Sequence, residues 1–382
     1  MIYLDYAATA PMRQQAVDAY AKAAKTVYGN SQSLHEDGGR AAEWLNASRK
    51  KIASFLGGEA KGLYFTGSGS EANTLAIRSL LNGADTYKNE IVSGGMEHAS
   101  IRTYLDDLSK SGYVIRKVLP GENGHIGAAE VEPHLSSRTA LITVQHANSE
   151  TGIVHDIKEI SRLAQRSSIL FHSDCVQTFG KIPIPAEEWG LSAVSISAHK
   201  IGGPKGMGAA YITPEARWRP VIEGTAHEGG FRPGTADVPG AVSFAVAAME
   251  TMKHMDREWT KMREYRKHLT TFVNHTKLGK IVEAARPEFQ LPGITGILLS
   301  HREGQYAMLA CSQMGIAVST GSACHAGMTH PPPALLALGI PEEEAHCFIR
   351  VSAGEGTALA HLEKLEAILS AACSGAERMN HL

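Results

Sequence analysis

A lysine that directly follows a strand-like run and precedes a glycine-rich turn is the first candidate for chemistry, in Ser197-Ala198-His199-Lys200-Ile201-Gly202-Gly203-Pro204. At the carboxyl edge of an α/β sheet, where such sheets bind ligands, an amine can form a Schiff base with a carbonyl compound. Isolated loop lysines are mostly solvated surface groups, so the company Lys200 keeps is what matters. Asp174, in Phe171-His172-Ser173-Asp174-Cys175-Val176-Gln177, follows another apolar run. A carboxylate there suits a basic ring nitrogen, which it keeps protonated so that the ring acts as an electron sink. Upstream, Phe65-Thr66-Gly67-Ser68-Gly69-Ser70-Glu71 leads through a Gly/Ser turn into a helical pattern. Its exposed N–H groups, the helix dipole and the Ser70 hydroxyl make a phosphate cradle. The turn is neither a Walker loop nor a G-x-G-x-x-G fingerprint, so a nucleotide is disfavoured. Cradle, ring-nitrogen partner and Schiff-base lysine together describe a site for pyridoxal 5'-phosphate.

Cys324 adds a nucleophile. It lies in Ser319-Thr320-Gly321-Ser322-Ala323-Cys324-His325-Ala326-Gly327, followed by His330-Pro331-Pro332-Pro333. Such residues suit neither a helix nor a central strand, so a loop is expected. A thiolate that attacks a sulfur and then carries it away needs an exposed, movable position. The five cysteines, at 175, 311, 324, 347 and 373, form no C-x-x-C pair, which argues against a disulfide framework and a zinc site. Cys175, Cys311 and Cys347 read as packed thiols, and Cys373 has no evident role.

The elements that must position these groups follow from periodicity. Seven β-rich runs, near 63–66, 90–93, 113–116, 140–144, 169–172, 193–196 and 209–212, alternate with helical patterns. They predict an α/β fold whose core is a mostly parallel seven-stranded sheet covered by helices. A long helix is expected over about 238–275 as a connector, its charged middle at 253–267 a solvated face. Beyond Pro292, strands near 294–299, 317–318 and 348–351 and helices near 305–314 and 358–369 suggest a small α+β domain. The expected division is a large domain over 12–255 and a small one formed by 1–11 and 256–382, the latter carrying the cysteine loop at about 320–335. With 382 residues, 37 Lys+Arg against 39 Asp+Glu and 43% hydrophobic residues, the chain is a size for an enzyme and neither disordered nor basic enough for direct nucleic-acid binding. Its apolar runs fall far below the ~20 residues needed to span a bilayer, and its start has no export signal, so the expected location is the cytoplasm.

The ordered set of motifs resembles the cysteine desulfurases of the NifS/IscS type, fold-type-I pyridoxal-phosphate enzymes of the class-V aminotransferase group. The resemblance is carried by Asp5-Tyr6-Ala7-Ala8-Thr9, Tyr28-Gly29-Asn30, residues 65–73, Glu97-His98, His146-Ala147-Asn148-Ser149-Glu150-Thr151-Gly152, residues 174–177 and 197–208, Arg232-Pro233-Gly234-Thr235 and residues 319–324. It implies that Lys200 bears the cofactor, Asp174 meets its ring nitrogen and His98 stacks on its ring and moves protons at the thiols. It further implies that Gly69, Ser70, Ser197 and His199 hold the phosphate, and that Gln177 and Ser149 reach the phenolic oxygen. Thr235 would reach the phosphate of a neighbouring subunit, which makes a homodimer. His146 and His172 are expected to be structural. Cys324 would take the sulfur of L-cysteine as a persulfide and release alanine, for delivery to an iron–sulfur scaffold or a tRNA-thiolating enzyme. Arg350, with Asn148 beside it, would hold the substrate, the guanidinium gripping its carboxylate. Ser149, Gly229, Glu355 and Ser31 stand where the family usually has asparagine, arginine, arginine and proline. The rivals are a selenocysteine lyase or aminotransferase of the same fold, and a non-catalytic sulfur-carrier or scaffold subunit. Lys200 with Asp174 disfavours the scaffold, and Cys324 in its Gly/Ser-rich loop disfavours a plain aminotransferase.

Overall fold

The computed structural model describes residues 1–300, 302–321 and 331–374. Its strands in chain order are β1 (Ile2–Tyr3), β2 (Leu63–Thr66), β3 (Glu90–Gly94), β4 (Val114–Val118), β5 (Thr139–Thr143), β6 (Leu170–Asp174), β7 (Ala193–Ser197), β8 (Gly208–Ile212), β9 (Gly279–Val282), β10 (Ile294–Leu299), β11 (Ile316–Ala317) and β12 (Phe348–Ser352). Seven of them form one sheet in the order β2-β8-β7-β6-β5-β3-β4. Only β8 runs against its neighbours, pairing antiparallel with both β2 and β7. The expected seven strands are therefore all present, and the sheet is mostly parallel.

Alternation along each strand feeds two separate apolar layers. Val92, Ile142, Val194 and Ala209 join one cluster, while Ile91, Leu141, Ala193 and Ala210 join another. Successive side chains of a strand point to opposite faces, so a strand covered on both faces reads as a continuous apolar run. That is why these short segments stood out in the sequence.

The helix Val238–Thr276 starts at Asp237, whose carboxylate accepts the Gly240 N–H, and runs on for 39 residues. At 1.5 Å per residue it is about 58 Å long, enough to serve two cores. Its first turns pack in the large-sheet cluster through Val238, Phe244 and Ala248, and its last through Leu269 and Val273 in a second cluster. That second cluster surrounds a three-stranded antiparallel sheet, β12-β10-β9, and a two-stranded one, β1-β11. The charged middle is not simply a solvated face: Arg257 and Lys267 are exposed, but Met255, Trp259 and Met262 on the same stretch line a cavity. Cys373 lies in the helix Leu359–Ser374 and packs against the second cluster with Leu365 and Leu369. Cys175 and Cys311 are buried, whereas Cys347 is only half-buried.

A buried ion pair ties the edge of the large sheet to its covering helix Glu36–Phe55. Arg49 donates to both Glu228 oxygens at 2.7 Å, and Glu228 also accepts the Phe65 N–H of β2 at 2.6 Å. Gly229, one of the departures from the family pattern, has φ of 59° here, a left-handed conformation that an arginine would adopt only under strain. Removing one partner leaves a buried charge unmatched, at a cost of about 3–5 kcal/mol. Arg49→Ala is expected to lower the free energy of unfolding by that amount, read in urea as a lower midpoint at an unchanged slope, and an unchanged midpoint would show that Glu228 does not need its partner.

Candidate active site

Five connections leave the carboxyl edge of the large sheet into one cavity of about 460 Å³. Chain direction reverses about the sheet between β4 and β5, which lie on opposite sides of β3. Ligands of open α/β sheets bind where strand order reverses in this way. From β6 comes Asp174, from β7 Ser197 and Lys200, from β2 the turn Ser68-Gly69-Ser70, from β3 His98, and from β5 Asn148 and Ser149; all line the cavity.

The helix Gly69–Gly83 is capped by Ser68, whose hydroxyl accepts the Glu71 N–H at 3.1 Å. The cap is therefore Ser68, two residues before the Ser70 of the expected phosphate cradle. Gly69 is confined: a Cβ there would meet Val176 Cγ2 at 2.8 Å and Ser197 Cβ at 3.2 Å. Ser197 Oγ is buried with no hydrogen-bond partner among the described residues. An orphan hydroxyl beside a helix N-terminus is suited to an anion. His199, on the same turn, contacts Thr9 Oγ1 through Nδ1 at 3.1 Å, and burial together with the nearby Lys200 charge pushes its pKa down to about 4.

Lys200 Nζ donates to the carbonyls of Ala7 and Ala8, both at 2.7 Å. The N-terminal segment thus supplies main-chain acceptors for the lysine. Asp174 is held at both oxygens: Oδ1 accepts the Val176 N–H at 2.9 Å and Oδ2 accepts from Asn73 Nδ2 at 2.8 Å. Asn73 falls in the 65–73 motif, but nothing local gives it a role, because its partner is far away in sequence. Gln177 donates through Nε2 to Ala7 O at 2.9 Å and accepts from Lys181 Nζ at 3.3 Å.

His98 caps the helix Ala99–Lys110, its Nδ1 accepting the Ser100 N–H at 3.2 Å. Burial, with the Lys200 charge, holds its pKa below the usual value despite the opposing pull of Asp174. The ring is therefore neutral near pH 7 with its proton on Nε2. His172 and His146 are enclosed instead, both pushed down to about 3 by burial, and neither lines the cavity.

Arg350 sits in the middle of β12. Its guanidinium is already engaged, donating to Asp5 Oδ1 at 2.6 Å and to Ser149 O at 2.9 Å, while Nε is buried without a partner among the described residues. Asn148 is largely spent on its own turn: Oδ1 accepts from Glu150 N, Thr151 N and Thr151 Oγ1, and Nδ2 donates to Met96 O. Beside Arg350, burial pushes the Glu150 carboxyl up to about 7. Thr235 is exposed and does not line this cavity; Arg232 on the same segment pairs with Glu71. Cys324 lies outside the described residues, but Gly321 and Pro331 on either side of its segment both line the cavity. Among the described residues no group of His, Cys, Asp and Glu could hold a metal ion.

Residues 2–365 match the family Aminotransferase class-V. A NifS-type cysteine desulfurase of Bacillus subtilis (strain 168) is 43% identical over 366 residues, 96% of this chain and 93% of that one. The chain belongs to the NifS/IscS group of the class-V aminotransferase family. A cysteine desulfurase IscS of Anaeromyxobacter sp. (strain K) is 35% identical over 356 residues, 92% of this chain and 87% of its own. A solved structure of a NifS-like protein superposes with a TM-score of 0.89 at 27% identity, covering 97% of this chain and 99% of the other. The fold is thus that of the NifS-like enzymes. The family works with pyridoxal phosphate, and the cavity fits that group: an anion cradle lies at Ser68-Gly69-Ser70 with the orphan Ser197 hydroxyl, and a fixed carboxylate and an amine stand beside it.

Proposed function

We propose that the protein is a cysteine desulfurase that binds pyridoxal 5'-phosphate and moves the sulfur of L-cysteine onto Cys324, releasing alanine. One observation carries the reading: β6 and β7 deliver Asp174 and Lys200 into the same cavity as the helix Gly69–Gly83 N-terminus, Arg350, and both flanks of the Cys324 segment. A scaffold subunit has no use for the first three, and a plain aminotransferase none for the last.

When bound, the cofactor supplies an aldehyde and a ring that accepts the electron pair left at the substrate Cα. Gly69 and Ser70 N–H groups, Ser197 Oγ and His199 would hold its phosphate. Asp174, fixed by Asn73 and Val176, keeps the ring nitrogen protonated, and Gln177 and Ser149 serve the phenolic oxygen. His98 would stand against the ring as a neutral imidazole with its Nε2 proton available. Lys200 would hold the aldehyde through its amine, and that amine would take the Cα proton of the substrate. The substrate carboxylate meets Arg350, which Asp5 and Ser149 O hold in one orientation. Asn148 serves the substrate by shaping the turn that presents Ser149. Cys324 thiolate then attacks the substrate Sγ: an S–S bond forms, the Cβ–S bond breaks, and Cβ gains a proton as alanine departs.

The chain would work as two bodies, 12–255 and 1–11 with 256–382, so that the small one moves Arg350 and the Cys324 segment against the cofactor. Thr235, exposed on its own chain, would serve the phosphate of a second copy in a homodimer. Among the described residues no helix is long and apolar enough to cross a membrane, which agrees with work in the cytoplasm. The persulfide would pass to an acceptor protein, an iron–sulfur scaffold or a tRNA-thiolating enzyme.

Asp174→Asn tests the ring-nitrogen assignment. The amide is neutral and no longer favours the protonated ring, so turnover should fall on the order of 10²-fold, while the cofactor's visible absorbance is retained. A near-normal steady-state rate of alanine formation would remove Asp174 from this role.

A further inference from the structure

A second cavity, of about 410 Å³, lies behind Lys200, which with Ala7 walls both it and the first. Its volume is in the range of small-molecule sites, ~300–1,000 Å³. Met255, Trp259 and Met262 of the long helix and Leu291 give it an apolar wall. Five charged side chains bear on what it would accept. Arg13 is spent on Glu355 and on the Ile201 carbonyl, and Lys200 on the carbonyls of Ala7 and Ala8. Lys181 has no carboxylate partner among the described residues; it donates to the neutral Gln177 amide oxygen at 3.3 Å. Burial, with the nearby Lys200 and Arg350 charges, pushes its ammonium down to about 7, a deficit that an incoming carboxylate would relieve. On the long helix, Glu258 pairs through Oε1 with Arg257, while its buried Oε2 has no hydrogen-bond partner among the described residues. A buried acceptor left unmatched calls for a donor.

We propose that this second cavity binds a free α-amino acid with an apolar side chain, its carboxylate on Lys181, its ammonium on Glu258 and its side chain against Met255, Trp259 and Met262. A simple carboxylate would leave Glu258 unmatched and add a repulsion, and a simple amine would do the same with Lys181. The zwitterion satisfies both. Occupancy is transmitted to the catalytic cavity through Lys181, which holds Gln177, and through the shared Lys200 wall.

The probe is L-leucine, titrated calorimetrically into borohydride-treated holoenzyme, in which Lys200 can no longer exchange its bound group for an amino acid. One saturable site per chain is expected, with Kd raised at least tenfold in Lys181→Met and in Glu258→Gln. 4-Methylpentanoate and isoamylamine, which each lack one charge, should bind at least tenfold more weakly than L-leucine. The two variants lie on different elements, so Glu258→Gln decides alone if Lys181→Met fails to fold. Absence of saturable L-leucine binding, an affinity unmoved by Glu258→Gln, or equal affinity for 4-methylpentanoate would overturn the proposal.

Discussion

Lys200→Ala is expected to reduce alanine formation by about 10⁴-fold, the upper end of what a positioned proton-transfer group contributes, because the same amine both carries the aldehyde and takes the Cα proton. The visible absorbance of a lysine-bound pyridoxal should vanish with it, and borohydride should no longer fix the cofactor to the chain. The fold should survive. Lys200 Nζ makes its contacts at the wall of two cavities, to the carbonyls of Ala7 and Ala8, where water can take its place. Circular dichroism and a melting curve close to those of the parent protein would confirm that the loss is chemical. A variant that retained a reducible, absorbing cofactor would move the Schiff base to another lysine, and Lys181, one hydrogen bond from Gln177, would be the first to examine.

Cys324→Ser is expected to stop sulfur transfer, by ~10³-fold or more, as removal of a covalent nucleophile does, while leaving every group around the cofactor in place. Serine is similar in size, but its hydroxyl is almost wholly protonated near neutral pH and attacks sulfur poorly. Added cysteine should therefore still change the cofactor's absorbance, since Lys200, Asp174 and Arg350 are untouched, yet no multiple-turnover alanine should appear. Alanine release at the parent rate would favour a lyase that needs no enzyme cysteine. An absorbance change with another amino acid but none with cysteine would favour an aminotransferase.

What the sequence disclosed and what it hid divide along physical lines. Six of the seven strands were legible because they are largely buried and so read as apolar runs, Leu141-Ile142 facing two different clusters, while the edge strand β4, exposed along Val114, Arg116 and Lys117, showed only through its β-branched residues. Asp174 and Lys200 were legible because strand ends project their next residues from the sheet edge. The pairs that orient them were not. Asn73 meets Asp174 across 101 residues and Asp5 meets Arg350 across 345, and nothing local marks either. The short β1 was hidden for the same reason, since Ile2 and Tyr3 pair with Ile316 and Ala317. Asn148, a substrate-binding candidate by the family resemblance, lines the cavity, and its amide also closes a turn on nearby backbone N–H groups. Glu355, an odd residue by family pattern, finds its reason in Arg13, which it meets across the second cavity's lining.

The most direct test of the account is the mass of the peptide containing Cys324 after a single exposure of the purified protein to L-cysteine without reducing agent. A gain of about 32 Da, one sulfur atom carried as a persulfide, is predicted on that peptide, removable by a thiol reductant and absent in Lys200→Ala. An unmodified Cys324 peptide alongside alanine production, or the added sulfur on Cys175, Cys311, Cys347 or Cys373 instead, would contradict the assignment of Cys324 as the sulfur acceptor.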